Sequence, residues 1–194
     1  MTTQGPEAGR TRGHGTPARV LHWTTVALLA LILPAGIAMT GEGFRSASSG
    51  LYVLHKGGGV ILLLLVVVRL VWKAVSPPVD PLPQTVGSLE RRWAARTHAL
   101  LYGLLLFMGL SGYARTVSGG FPIELLDAVG VPPLLPEMPR LAVTLSVLHS
   151  FAGYLLVAVV ALHVGAVARH AWVVRDGVPG RMWPPRAPRR EGGA

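Results

Sequence analysis

The residues best able to do chemistry in this chain are its seven histidines. There is no cysteine, which excludes disulfides, thiolate-held iron–sulfur clusters and covalently attached haem. His149 and His163 are fourteen residues apart in one apolar stretch. On a helix, fourteen residues fall only about 40° short of four turns and rise about 21 Å, so both rings leave nearly the same face at opposite ends. That spacing suits two stacked sites rather than one. An imidazole at membrane depth is costly without a partner and is a functional candidate by default. His22 lies just inside the start of an earlier apolar stretch and matches the depth of His163. His55 lies just inside the start of the next stretch and matches the depth of His149. Depth therefore sorts the four into His22 with His163 and His55 with His149, two metal-ligand pairs that each bridge two helices of a bundle.

The elements that position them are read from composition. Only 14% of the 194 residues are charged and 51% are hydrophobic, against about 25% charged in soluble domains. Four apolar stretches are each long enough to cross hydrocarbon as a helix, at about 19–40, 51–75, 97–115 and 144–174. The expected fold is all-α: an integral membrane four-helix bundle over residues 19–175, with two cofactors between helices. A flexible tail is expected over 1–18 and a Pro- and Arg-rich tail over 176–194, with a short interfacial helix within Phe121–Val129. The first stretch exceeds the apolar core of a signal peptide, about 7–15 residues, and is read as a retained helix. Pro34 is expected to kink its far end.

The net charge is +9. With both termini and the 76–97 loop on one side, fourteen of the eighteen Lys and Arg residues collect there, which makes that side cytoplasmic. The basic residues form neither a helix face nor an aromatic-interleaved patch, so nucleic acid is not an expected partner. Membrane lipid is.

Arg69 is fourteen residues beyond His55, near the depth of the His22–His163 pair, where an acidic group such as a haem propionate is a natural counter-charge. Lys56 and Arg115 stand in the same relation to the other pair. Gly57, Gly58 and Gly59 offer bare backbone to a flat macrocycle. From spacing alone, two bis-histidine haems compete with a haem-free transporter that relays protons through histidines and with a zinc site. Zinc asks for three or four clustered ligands, which a 21 Å spread does not supply.

On these residues the chain resembles the bacterial cytochrome b-561 family of di-haem membrane cytochromes. The resemblance is carried by Arg19-Val20-Leu21-His22-Trp23, by Leu54-His55-Lys56 with the run to Arg69-Leu70, by Pro77-Pro78, by His98-Ala99-Leu100-Leu101-Tyr102, by Leu110-Ser111-Gly112, by Leu148-His149, Ala161-Leu162-His163 and Arg169-His170, and by Arg175-Asp176-Gly177-Val178 with Arg181-Met182. It covers roughly residues 17–185. It implies a four-helix bundle in the bacterial inner membrane, two b-type haems with His22, His55, His149 and His163 as axial ligands, and a quinone, ubiquinone or menaquinone, near His170 and His98. Ala171 stands where relatives often carry a second histidine. Family members imply two functions. One is stand-alone electron transfer between an outer donor, such as superoxide or a protein, and the quinone pool, a membrane-bound oxidoreductase activity. The other is a haem-bearing anchor for a peripheral dehydrogenase or hydrogenase. No catalytic triad or phosphate loop is present.

Overall fold

The structure is a computed structural model that describes residues 14–79 and 86–183. The expectations placed on residues 1–13 and 184–194 lie outside the described residues. Helix α1 spans Thr16–Ala38, α2 Ser48–Val75, α3 Ser88–Ser118, α4 Glu124–Ala128 and α5 Pro139–Arg169. All described regular structure is helical. Four helices are long and apolar enough to cross a membrane: α1, α2, α3, and α5 with its extension to Val174. Isoleucines, leucines and valines such as Leu31, Leu64, Val71, Val147 and Leu162 are exposed on their outer faces. In water such a surface would aggregate, whereas lipid hydrocarbon solvates it.

Proline and glycine set several helix limits. Pro17 and Pro139 sit in the first turns of α1 and α5, where their missing N–H costs no intrahelical bond. The third long helix starts at Ser88, nine residues before the expected 97. Its polar first turns escape a reading based on apolar runs, yet Glu90 Oε2 accepts the Gly87 N–H at 3.3 Å and stabilises the start. Helix α1 continues through Pro34 to Ala38. The short helix expected within 121–129 is α4.

The last helix changes pitch rather than simply ending. Residues His170–Val174 form a π-helical turn, closed by the Arg175 N–H on the His170 carbonyl at 2.8 Å. Arg175 has φ 56° and Gly177 φ 76°, a left-handed reversal that glycine tolerates and arginine resists. Residues 176–183 therefore belong to the fold instead of the expected tail. They turn back to α1, where the His14 N–H meets the Arg181 carbonyl at 3.2 Å. Trp23 Nε1 donates to the Met182 carbonyl at 2.9 Å, and the Trp23 and Trp183 rings meet edge to face.

The long helices run up and down. Arg169, late in α5, reaches Glu90, early in α3, at 3.0 Å, which places those ends together with both termini. At the opposite end, Lys56 near the start of α2 binds Glu124 of α4 at 2.7 Å and the Pro122 carbonyl at 2.7 Å. Close packing joins α1 to α2, α2 to α3 and α3 to α5, with no comparable seam between α1 and α5 or between α2 and α5. The core is Ile32, Leu62, Val66, Leu104, Leu105, Ala152, Leu156 and Val159. Gly58 brings α1 and α2 close, since a Cβ there would stand 2.4 Å from Ile32 Cγ2.

The Lys56 hydrogen bond is the largest cause holding the Glu124 carboxyl below its ordinary value. That contribution is present above the carboxyl's ordinary value and fades as pH falls through the lowered one. Because the Glu124 side chain is 41% exposed, screening keeps the pair below about 1 kcal/mol. A Lys56→Ala/Glu124→Gln double-mutant cycle should show that small coupling at neutral pH and lose it on acidification. A coupling unchanged by acid would assign the contact's stability to something other than charge.

Candidate cofactor sites between the helices

At the α4 end, α2 presents His55 and α5 presents His149. Their ring centroids are 6.2 Å apart and their planes stand at 89°. Two imidazoles on opposite sides of one metal, each binding through a nitrogen at about 2.0 Å, leave their centroids about 6 Å apart. The spacing fits a single ion held between the rings.

Each ring is anchored by its other nitrogen. His55 Nδ1 lies 2.8 Å from the Ile32 carbonyl, an acceptor only, so Nδ1 carries the proton and Nε2 keeps its lone pair. His149 Nδ1 lies 2.9 Å from Ser111 Oγ. Such outer partners, which fix tautomer and rotation, typically accompany metal-binding histidines. His55 reaches the Ile32 carbonyl because residue 36 is glycine. A Cβ there would stand 2.6 Å from His55 Cε1 and 2.8 Å from Nδ1. The cavity beside the pair is lined by apolar groups, among them Leu29, Leu33, Leu62, Met108 and Leu156, and by Gly59.

The three glycines after His55 have separate tasks. Gly57 faces Leu125 of α4, Gly58 packs on Ile32, and a Cβ on Gly59 would meet nothing within 4 Å. Gly59 alone is open backbone at the cavity.

At the termini end, His163 of α5 stands against His98 of α3, with centroids 5.2 Å apart at 80°. That is direct ring contact, about 1 Å too short for two imidazoles on either side of a metal. His98 Nδ1 donates to the Ala94 carbonyl at 2.7 Å. His22 of α1 has His163 and His98 among its electrostatic neighbours. Its ring, however, is held by Arg69 of α2, whose Nη2 is 3.2 Å from His22 Nδ1. A guanidinium only donates, so Nδ1 accepts and the ring proton sits on Nε2, the opposite tautomer from His55. Arg69 and Lys73 also lie over the Tyr102 ring, 5.4 and 5.3 Å from its centroid.

His170 stands apart from this group. Its Nδ1 is 2.6 Å from Asp176 Oδ2. The Asp176 side chain is only 3% exposed, and its Oδ1 accepts the Val178 N–H at 3.1 Å.

Sequence reasoning quoted Ser111 and Asp176 within motifs but gave neither a partner, and it missed the Ile32 carbonyl and Gly36. A serine inside an apolar stretch and an acid directly after one were readable signals. A backbone carbonyl carries none. Lys56 is neutralised by Glu124 and is not a free cation beside the His55–His149 pair, as the sequence had suggested. The positive charge of Arg115 acts on both rings of that pair. Among the described residues, no three His, Cys, Asp or Glu side chains gather as metal ligands. Two-imidazole sites suit a cofactor that brings its own equatorial nitrogens.

A family model described as prokaryotic cytochrome b561 matches residues 13–185. Cytochrome b561 homolog 2 of Escherichia coli (strain K12) is 27% identical over 173 residues, covering 87% of this chain and 90% of that protein.

Proposed function

The chain belongs to the prokaryotic cytochrome b561 family, and from that premise we propose that it carries electrons between an outer-side donor and the membrane quinone pool through two bis-histidine haems. Membership makes it a multi-pass membrane protein of haem-b electron transfer. The two-haem count, the ligands, the quinone and the orientation are our reading. The observation that supports it most is the His55–His149 pair: two perpendicular rings 6.2 Å apart, each tied back by Nδ1.

When bound, a b-type haem would supply a one-electron iron couple. The chain's residues do the rest. His55 and His149 would hold the outer haem across the bundle. His22 and His163 would hold the inner one across the side where α1 and α5 share no packed seam. Ligation through His22 Nε2 asks Arg69 to turn from the ring to another acceptor, and a propionate carboxylate is a strong bidentate partner for it. The apolar core between the two sites excludes water. Arg115 supplies positive charge beside the outer pair, which favours an anionic donor such as superoxide. His170, oriented by Asp176, and His98, oriented by the Ala94 carbonyl, are the groups placed to move protons to quinone at the cytoplasmic end. The lysine and arginine distribution supports cytoplasmic termini.

A redox-difference spectrum with haem stoichiometry on the purified protein tests this reading, and two b-type haems per chain are expected. A folded, colourless preparation would instead support the histidine-relay transporter. In nanodiscs, His170→Ala should slow reduction of a soluble quinone analogue at least about tenfold, as loss of a positioned proton donor does, with haem content unchanged. Unaltered quinone reduction in that variant would move the quinone site elsewhere.

A further inference from the structure

We propose that Ser111 is a positioning residue for His149: its hydroxyl selects the ring's tautomer, fixes its rotation and lowers the reduction potential of the outer site. This rests on reading His149 as an axial ligand. Ser111 belongs to α3 and His149 to α5, joined along a closely packed seam. The residues are 4% and 8% exposed, so neither polar group has ready access to water. Ser111 Oγ lies 2.9 Å from His149 Nδ1 and 3.4 Å from the Met108 carbonyl one turn earlier. A hydroxyl has one hydrogen and two lone pairs. The Met108 carbonyl can only accept, so when the hydroxyl hydrogen points to it, a lone pair faces Nδ1 and the ring donates. Nε2 is then the nitrogen free to bind iron. Gly112 completes the seat: a Cβ there would stand 3.0 Å from His149 Cε1, so the ring rests in a notch formed by Ser111 and Gly112.

The two outer ligands differ in how they are held. His55 donates to a backbone carbonyl, which no side-chain substitution removes. His149 donates to a side chain, so substitution at Ser111 removes the acceptor itself. An imidazole that donates from Nδ1 becomes more basic at Nε2 and favours ferric over ferrous iron, which lowers the potential.

Spectroelectrochemical titration of the full-length holoprotein carrying Ser111→Ala or Ser111→Thr tests this. In Ser111→Ala, the reduced-to-oxidised ratio of the outer haem at a fixed potential near its midpoint should rise about three- to tenfold. For a one-electron couple that is an upward shift of about 28–59 mV. The inner haem should not move, and Ser111→Thr should restore the wild-type value. Titration curves identical to wild type in Ser111→Ala, with both haems bound, would overturn the proposal. If Ser111→Ala loses the outer haem, recovery in Ser111→Thr supports the proposal and loss in both variants overturns it. A failure of the ligand reading shows separately, as two haems retained by His149→Ala.

Discussion

His149→Ala is expected to lower the haem content from two per chain to one, and His55→Ala to do the same. Each removes one of the two imidazoles proposed to hold the outer haem, whose rings stand 6.2 Å apart. The partner ring remains tied by Nδ1 to Ile32 or Ser111, and one imidazole alone would hold a haem more weakly than two. The pyridine haemochrome assay counts what is left, and the α-band amplitude should fall by about half if the two haems absorb alike. His22→Ala and His163→Ala should each remove the inner haem instead. His98→Ala separates the two histidines that neighbour His163. It should keep both haems, because a 5.2 Å ring contact leaves no room for iron between His98 and His163. His14 lies before the first membrane helix, its N–H on the Arg181 carbonyl, and His14→Ala should also keep both. Two haems in His149→Ala would overturn the outer ligand assignment, and loss of the inner haem in His98→Ala would reassign the inner one.

Gly36→Ala is the second large effect. An added Cβ would stand 2.6 Å from His55 Cε1 and 2.8 Å from Nδ1. Relief requires the ring to swing from the Ile32 carbonyl or α1 to shift at Ile32, which is 4% exposed in the core. The substitution should raise intrinsic helix propensity by about 1 kcal/mol, so a stability assay alone could mislead. The diagnostic outcome is outer-haem retention. Loss of an outer-shell partner typically weakens metal binding about 10–100-fold, visible as outer haem lost during detergent dilution while the inner haem stays. Gly103→Ala on α3, where a Cβ would meet nothing within 4 Å, is the control and should retain both. Equal retention in the two variants would show that the His55–Ile32 bond does not hold the ligand.

The membrane class and the four long helices were legible because each depends on local chemistry. An apolar run of about 20 residues has few fates other than crossing the bilayer, and a charged or polar residue within it stands out. The polar start of α3 was not legible, because Glu90, Arg91 and Arg92 have no apolar period to reveal them. Nor was the return of residues 176–183 to α1, since a Pro- and Arg-rich stretch reads as a solvated tail until Trp23 offers Met182 a donor. The depth pairing placed His163 opposite His22, whereas the structure sets it against His98 and gives His22 to Arg69. Depth is one coordinate, and three histidines share nearly the same value of it at that end.

Position along the helix axis is a property of the chain alone. The rise per residue is constant, so the spacing of His149 and His163 fixes a separation of about 21 Å, whatever surrounds them. Which rings meet is not such a property. It depends on how each helix is rotated and how closely its neighbours approach, and those are set by contacts between segments distant in sequence: Gly58 on Ile32, Gly109 on Leu63, Gly36 beneath His55. The sequence by itself determined the depth of each histidine. For His55, His149 and His22, only the tertiary structure decided which nitrogen carries the proton, because that choice is made by a carbonyl, a hydroxyl or a guanidinium carried on another helix.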